Sequence, residues 1–248
     1  MGFQCGLSGM NAASKNLDVI GNNIANANTV GMKSSRAEFA DLVASQLGTG
    51  GGAGAGIGVA VATVAQQFTQ GSVNITGNSL DVAIDGRGFF QVRQPDGSAA
   101  YTRDGNFEVD SQGQLVTASG NVVEPGITIP QGTQSVTIGS DGTVTAQLPG
   151  QATPAQIGTL QLTDFVNAAG LMPKGENLYV ETAASGTPQT GTPGQNGIGT
   201  LAQGALEGSN VNVVEELVNM IETQRAYEMN SKAISASDQM LQYLNNNV

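Results

Sequence analysis

The sequence predicts an α+β protein, with long N- and C-terminal helices forming a coiled-coil-like layer and an all-β domain in mid-chain. Residues 7–26 (LSGMNAASKNLDVIGNNIAN) and 212–244 (NVVEELVNMIETQRAYEMNSKAISASDQMLQYL) both carry apolar residues at helical spacing. Between them lie short alternating stretches, rich in Gly and punctuated by Asp-Gly pairs. A long terminal helix cannot bury its apolar stripe against a small β-domain alone. The stripe calls for another helix, from the opposite terminus or from a neighbouring subunit. The layout points to assembly rather than catalysis.

In the first helix Leu7, Met10, Leu17, Ile20 and Ile24 form one apolar face. The Asn-rich run from Asn22 to Thr29 then weakens helix propensity, and Gly31 is the expected stop. A second short helix is expected over Ser34 to Leu47. Residues 48–58 (GTGGGAGAGIG) read as a flexible or tightly turning linker. The following VAVATVAQQFTQGSVNITG alternates as a strand pair turning near Gly71. From about residue 79 to 185 the chain reads as short strands such as FFQVRQ, FEVD, SVTIG and TVTAQL. Asp-Gly turns at Asp85, Asp96, Asp104 and Asp141 separate them. Residues 185–204, with two Thr-Pro pairs and several Gly, are expected to form a long surface connection.

The last helix has a capping signal in Asn212 with Glu215. Val213, Met220, Tyr227, Ile234 and Leu241 recur every seven residues, supported by Leu217, Met240 and Leu244. Gln224, Ser231 and Asp238 interrupt the partner positions, which argues against a long two-stranded coil. A helix of this length would reach about 50 Å, far more than the β-domain needs. These stripes, with Ile221, are the expected intersubunit packing surface. The domain reading is residues 1–33 with 209–248 as the helical part, 34–78 as a connecting segment and 79–208 as the β-rich part.

Composition narrows the function. Of 248 residues, 39% are apolar and 4% aromatic, with no Trp, so any core is aliphatic and modest. The net charge of −11 with only nine Lys and Arg makes nucleic acid and anionic membranes poor partners. There is no His, and Cys5 is the single cysteine, so the usual general base, a Cys-based metal site and an intrachain disulfide are absent. No cofactor or metal is expected. No apolar run is long enough to insert in a membrane, and the N-terminus lacks the features of a Sec signal peptide.

Carboxylates are the remaining catalytic candidates, and a paired-acid glycan hydrolase could use Asp85, Asp104 or Glu108. Each has a plainer reading as a turn or strand-face residue. No D-x-D-x-D-G loop is present for Ca²⁺. Ser231 and Lys232 are adjacent on a helix and point apart. GTGGGAGAG lacks the Lys-Ser/Thr ending of a phosphate loop. A secreted β-rich adhesin or surface-layer subunit shares the composition, but needs neither the heptad helix nor the Asn-rich motif.

The stretch LSGMNAASKNLDVIGNNIANANTVGMKSSRAEFADL resembles the N-terminal motif of the flagellar axial proteins, the rod, hook and hook-associated subunits. Its core is Asn22, Asn23, Ile24, Ala25 and Asn26, then Thr29, Gly31 and Lys33, with Met32 where the family usually has an aromatic residue. LDVAIDGRGFFQVRQPDGSAAYTRDGNFEVDSQGQLVT, GENLYVET and LEGSNVNVVEELVNMIETQRAYEMNSKAISASDQML resemble the rod-type members. The head, Met1 to Thr76 with its short Gly-rich linker, is closer to the hook type.

The resemblance implies a non-enzymatic subunit exported through the flagellar type III apparatus. It implies polymerisation with copies of itself into a hollow helical tube that transmits torque, the terminal helices forming an inner layer around the export channel. The implied partners are neighbouring rod and hook proteins, a rod or hook cap and the export apparatus. A hook-type subunit or a rod/hook hybrid building a curved tube is the alternative within the family.

Overall fold

The computed structural model describes residues 2–43, 56–150 and 153–246. The chain forms two compact units. One comprises Met1–Ala27, Ser34–Gln67 and Val211–Val248, the other Asn28–Lys33 and Phe68–Asn210.

The first unit holds α1 (Gly2–Ala25), β1 (Ser35–Val43), β2 (Gly56–Gln66) and α2 (Val213–Asn246). Asn212 caps α2 as its sequence suggests: its Oδ1 accepts the Val214 N–H at 3.2 Å, and its carbonyl accepts the Glu216 N–H at 3.0 Å. Where a helix is expected from Ser34 to Leu47, Ser35–Val43 is instead strand β1, paired antiparallel with β2, and residues 44–47 lie outside the described residues. Pairing decides this. β2 offers a β-branched edge, so that Ala37 faces Val64 and Phe39 faces Val61. Arg36 and Glu38 stay exposed while Ala37 is buried. Strand context overrides the weak helical preference of the run. Most of the Gly- and Ala-rich linker, residues 48–55, lies outside the described residues.

The second unit is built from strands alone, apart from a short 3₁₀ turn at Ala168–Gly170. Its strands are β3 (Val73–Ile75), β4 (Val82–Asp85), β5 (Phe89–Arg93), β6 (Ala99–Thr102), β7 (Phe107–Val109), β8 (Leu115–Thr117), β9 (Val122–Val123) and β10 (Ser135–Ile138). They continue with β11 (Thr143–Gln147), β12 (Ala155–Thr159), β13 (Leu162–Asp164), β14 (Met172–Gly175), β15 (Leu178–Val180), β16 (Gln189–Gly191), β17 (Thr200–Gln203) and β18 (Ala205–Glu207). A central antiparallel sheet runs β14-β15-β6-β5-β9-β8-β7, with β13 also on β5 and β16 on β13. Smaller sheets are β10-β11-β12, β17-β4 and β18-β3.

The strand pair expected to turn near Gly71 does not form, because β2 pairs back on β1 and β3 pairs with β18. Gly71 instead lies directly against the Gly208 carbonyl, where a side chain would not fit.

Both faces of β5 are buried. Phe90 enters an aliphatic core with Val82, Ile84, Val92, Leu115, Leu160 and Leu162, and meets Phe107 edge-on at 4.9 Å. Phe89, the next residue, points the other way into an aromatic cluster with Phe68, Tyr101, Phe165 and Tyr179. The Asp-Gly signals separate into two kinds. Gly86, Gly97 and Gly142 have left-handed φ, as such turns require. Gly105 does not, and serves instead to let its backbone touch Val82, whose N–H it accepts at 3.0 Å.

Candidate functional site

Within the helical unit α1 and α2 pack antiparallel, and the buried seam coincides only in part with the predicted apolar stripe. On α1 the seam runs through Gly6, Gly9, Ala13, Asn16, Ile20 and Asn23, spaced by three and four residues. Gly6 faces Ile234 and Gly9 faces Asn230 so closely that an added Cβ would collide. Asn16 donates to Thr223 Oγ1 at 3.0 Å, and Asn23 donates to Glu216 Oε1 at 2.9 Å. The matching ridge of α2 is Glu216, Met220, Thr223, Ala226, Asn230, Ile234 and Ser237, all buried or half-buried. Small and amide-bearing residues allow close approach and fix the register, as a polar residue in a coiled-coil seam does.

The apolar residues expected to pack between subunits therefore divide. Ile20 is buried, and Ile234 is in place against Gly6, so both work inside the chain. Met10, Leu17, Ile24 and Met220 are half-buried. Leu7, Val213, Leu217, Ile221 and Tyr227 are exposed. The side chains of Leu241 and Leu244 lie outside the described residues. The strongest exposed stripe is Val214, Leu217, Val218 and Ile221, at 72%, 46%, 50% and 51% exposure. Their spacing puts all four on one face over two turns. Val214 and Val218, together with exposed Met229, Met240 and Tyr243, fall outside the seven-residue pattern or were secondary to it. The small-residue seam was equally missed, although Gly6, Gly9, Ala13 and Asn16 repeat at helical spacing in the sequence. Phe39, Leu42 and Val64 add exposed apolar surface on the β1–β2 hairpin. Gly9, Ala12, Ala13, Ala226, Phe39 and Val59 line an adjoining apolar groove.

The N-terminal motif residues have distinct jobs. Asn23 is 1% exposed, and its amide makes three hydrogen bonds to two elements, β1 and α2. Nδ2 donates to Glu216 and to the Ser35 carbonyl at 2.8 Å, while Oδ1 accepts the Ser35 N–H at 2.9 Å. The side chain thus mimics a strand edge for β1 while tying α1 to α2. Asn22 and Ala25 are exposed, Ile24, Asn26 and Thr29 half-buried, and Asn26 donates back to the Asn22 carbonyl at 3.0 Å.

In the second unit Gly31, with φ of 69°, donates its N–H to the Glu207 carbonyl at 2.8 Å and lies against the Arg103–Asp104 backbone. Lys33 is wholly buried, with Nζ 2.6 Å from Glu207 Oε1 and 2.8 Å from the Thr69 carbonyl. Arg103 meets Glu207 Oε2 at 3.1 Å and covers the Phe89 ring at 5.1 Å. Burial pulls Lys33 and Arg103 below their ordinary pKa values, against the opposing pull of Glu207. Burial also pushes the neighbouring Tyr179 up to about 12.

The carboxylates weighed for catalysis are not gathered into a site. Asp85 is exposed at the end of β4, where Gln70 donates to it at 3.3 Å, and Glu108 is exposed on β7. Asp104 is partly buried; desolvation raises its pKa, and the charge of Asp81 adds to the effect. Among the described residues no cluster of three or more acidic, Cys or His side chains could hold a metal ion, and no helix is long and apolar enough to cross a membrane.

Known proteins place this architecture. Residues 3–33, which hold the Asn23 and Lys33 motif, match the family model described as Flagella basal body rod protein. Residues 83–146 match the Flagellar hook protein FlgE/F/G D1 domain, and residues 202–247 the Flagellar basal body rod FlgEFG protein C-terminal. The flagellar basal-body rod protein FlgG of Buchnera aphidicola subsp. Schizaphis graminum is 51% identical, over 96% of this chain and 95% of its own. The chain belongs to the flagellar basal-body rod protein family. FlgG of Caulobacter vibrioides is 47% identical over 95% of this chain and 94% of its own, and that of Bacillus subtilis 42% over 97% and 96%. This family member is a structural subunit of the flagellar basal body, of the distal-rod type. The rod proteins it resembles are structural rather than enzymatic.

Proposed function

We propose that copies of this chain polymerise into a hollow rod through the apolar faces of the terminal helices, which line an export channel. The carrying observation is the stripe Val214, Leu217, Val218 and Ile221, exposed on α2 although α1 already covers the opposite face of that helix. Four large apolar side chains on two turns are an association surface by their size and contiguity. The subunit joins neighbouring rod and hook proteins, grows under a cap and is delivered by the flagellar type III export apparatus. Torque passes through these contacts with no chemistry. A curved tube would assign the chain the hook-type behaviour that its Gly-rich head suggests.

Electron microscopy of the concentrated protein tests this reading. The wild type is expected to form straight hollow tubes. Ile221→Asp or Leu217→Asp is expected to form none, with the β-unit still folded, because assembly would bury an unpaired charge. Unchanged assembly in both variants would refute the packing surface.

A further inference from the structure

Four times the sequence passes between the two units: after Ala27, Lys33, Gln67 and Asn210. Inside the β-unit, the residues beside these crossings converge on one side chain. Glu207 Oε1 accepts from Lys33 Nζ and from the Gly71 N–H at 2.9 Å, and Oε2 accepts from Arg103. The Glu207 carbonyl takes the Gly31 N–H, and Lys33 also donates to the Thr69 carbonyl. Asn210 closes the set by donating to the Thr69 carbonyl at 3.2 Å. Segments 28–33, 68–71 and 207–210 are thus tied to a single carboxylate, which is in direct contact with two buried cations.

We propose that Glu207 is a clasp: its charge holds the three crossing segments to the β-unit, and losing it releases them while the sheet stays folded. Two observations separate a clasp from ordinary core. Segments 28–33, 68–71 and 208–210 are loop, and their apolar anchoring is confined to buried Met32 and to Phe68 on the aromatic cluster. The aliphatic core around Phe90 and Val92 is a separate cluster to which none of the clasp residues belongs. A buried ion network of this kind adds little net stability over an apolar replacement, but it specifies one arrangement of the groups it joins. The inference concerns the single subunit and stands whether or not the chain polymerises.

The test is amide hydrogen exchange on the full-length monomer. In Glu207→Gln, exchange at Gly31 and Gly71 is expected to rise at least tenfold, while Val92 and Ala100 on β5 and β6 keep their protection. Equal loss on β5 and β6, or no change at Gly31 and Gly71, would overturn the clasp. If Glu207→Gln does not fold, Lys33→Met decides, because it leaves the Arg103–Glu207 pair intact. Faster exchange confined to residues 28–33 and 68–71 supports the clasp. Uniform or absent change refutes it.

Discussion

The Lys33 ammonium and the Glu207 carboxylate lie 2.6 Å apart with both side chains fully buried, although 174 residues separate them in the chain. Removing one partner of such a pair leaves an uncompensated buried charge, which costs about 3–5 kcal/mol. Glu207→Gln strands two cations and is expected to lose that much. Lys33→Met leaves Arg103 paired with Glu207 and should lose clearly less. Urea denaturation of both variants, followed by Tyr fluorescence, gives the ranking, and the reverse order would refute it.

Asn23 is the corresponding anchor of the helical unit. Asn23→Ala removes three hydrogen bonds and leaves the Ser35 backbone groups and Glu216 without these partners, at about 1–3 kcal/mol for each group left unsatisfied and buried. Asn23→Asp keeps the acceptor but places a second carboxylate beside Glu216, so it should be the worse of the two at neutral pH. Helix melting monitored by circular dichroism at 222 nm measures both. Equal melting of wild type and Asn23→Asp would remove Asn23 from this role.

Helix glycines separate packing from propensity. Gly9→Ala puts a Cβ 2.7 Å from Asn230 Nδ2, so its gain in helix propensity is offset by displacement of that side chain, and Gly9→Val should unseat the seam. Gly21 has nothing within 4 Å of an added Cβ, so Gly21→Ala is expected to stabilise α1 by about 1 kcal/mol. Thermal melts of the three variants test the contrast. A stabilising Gly9→Val would show that the seam is loose.

Asp104 supplies a pH dependence. Its folded pKa lies above the ordinary 3.8, so the folded state holds the proton more tightly than the unfolded chain. Stability therefore falls as pH rises from the unfolded value through the folded one, and the cost persists above it. Asp104→Asn keeps an oxygen for the Asn106 N–H and removes the charge. It should be more stable than wild type at pH 7, with the difference vanishing near pH 3. Parallel stability curves from pH 3 to 7 would show that Asp104 does not titrate this way.

How much of this was legible in the residues depends on the kind of interaction. The two terminal helices, the Asn212 cap and the strands around FFQVRQ and TVTAQL follow from period and turn chemistry, which are local. The seam between α1 and α2 leaves no mark in apolar periodicity, because Gly6, Gly9, Asn16 and Asn23 are small or polar. The strand at Ser35–Val43 is not legible locally, because its pairing partner lies across an intervening segment. Lys33 was recognisable as part of a motif, yet its partner Glu207 carries no signal of its own in LEGSN.

The sequence alone determined the α+β class, the absence of His and of paired Cys, and the amphipathic termini, since composition and periodicity are properties of the chain itself. The tertiary structure alone decided which helix face is covered within the chain and which stays exposed. It also decided that Asn23 and Lys33 are buried anchors rather than surface polar residues. The physical reason is that a small or polar side chain declares its role only through its partner: Asn23 through Glu216 and Ser35, Lys33 through Glu207 and Thr69.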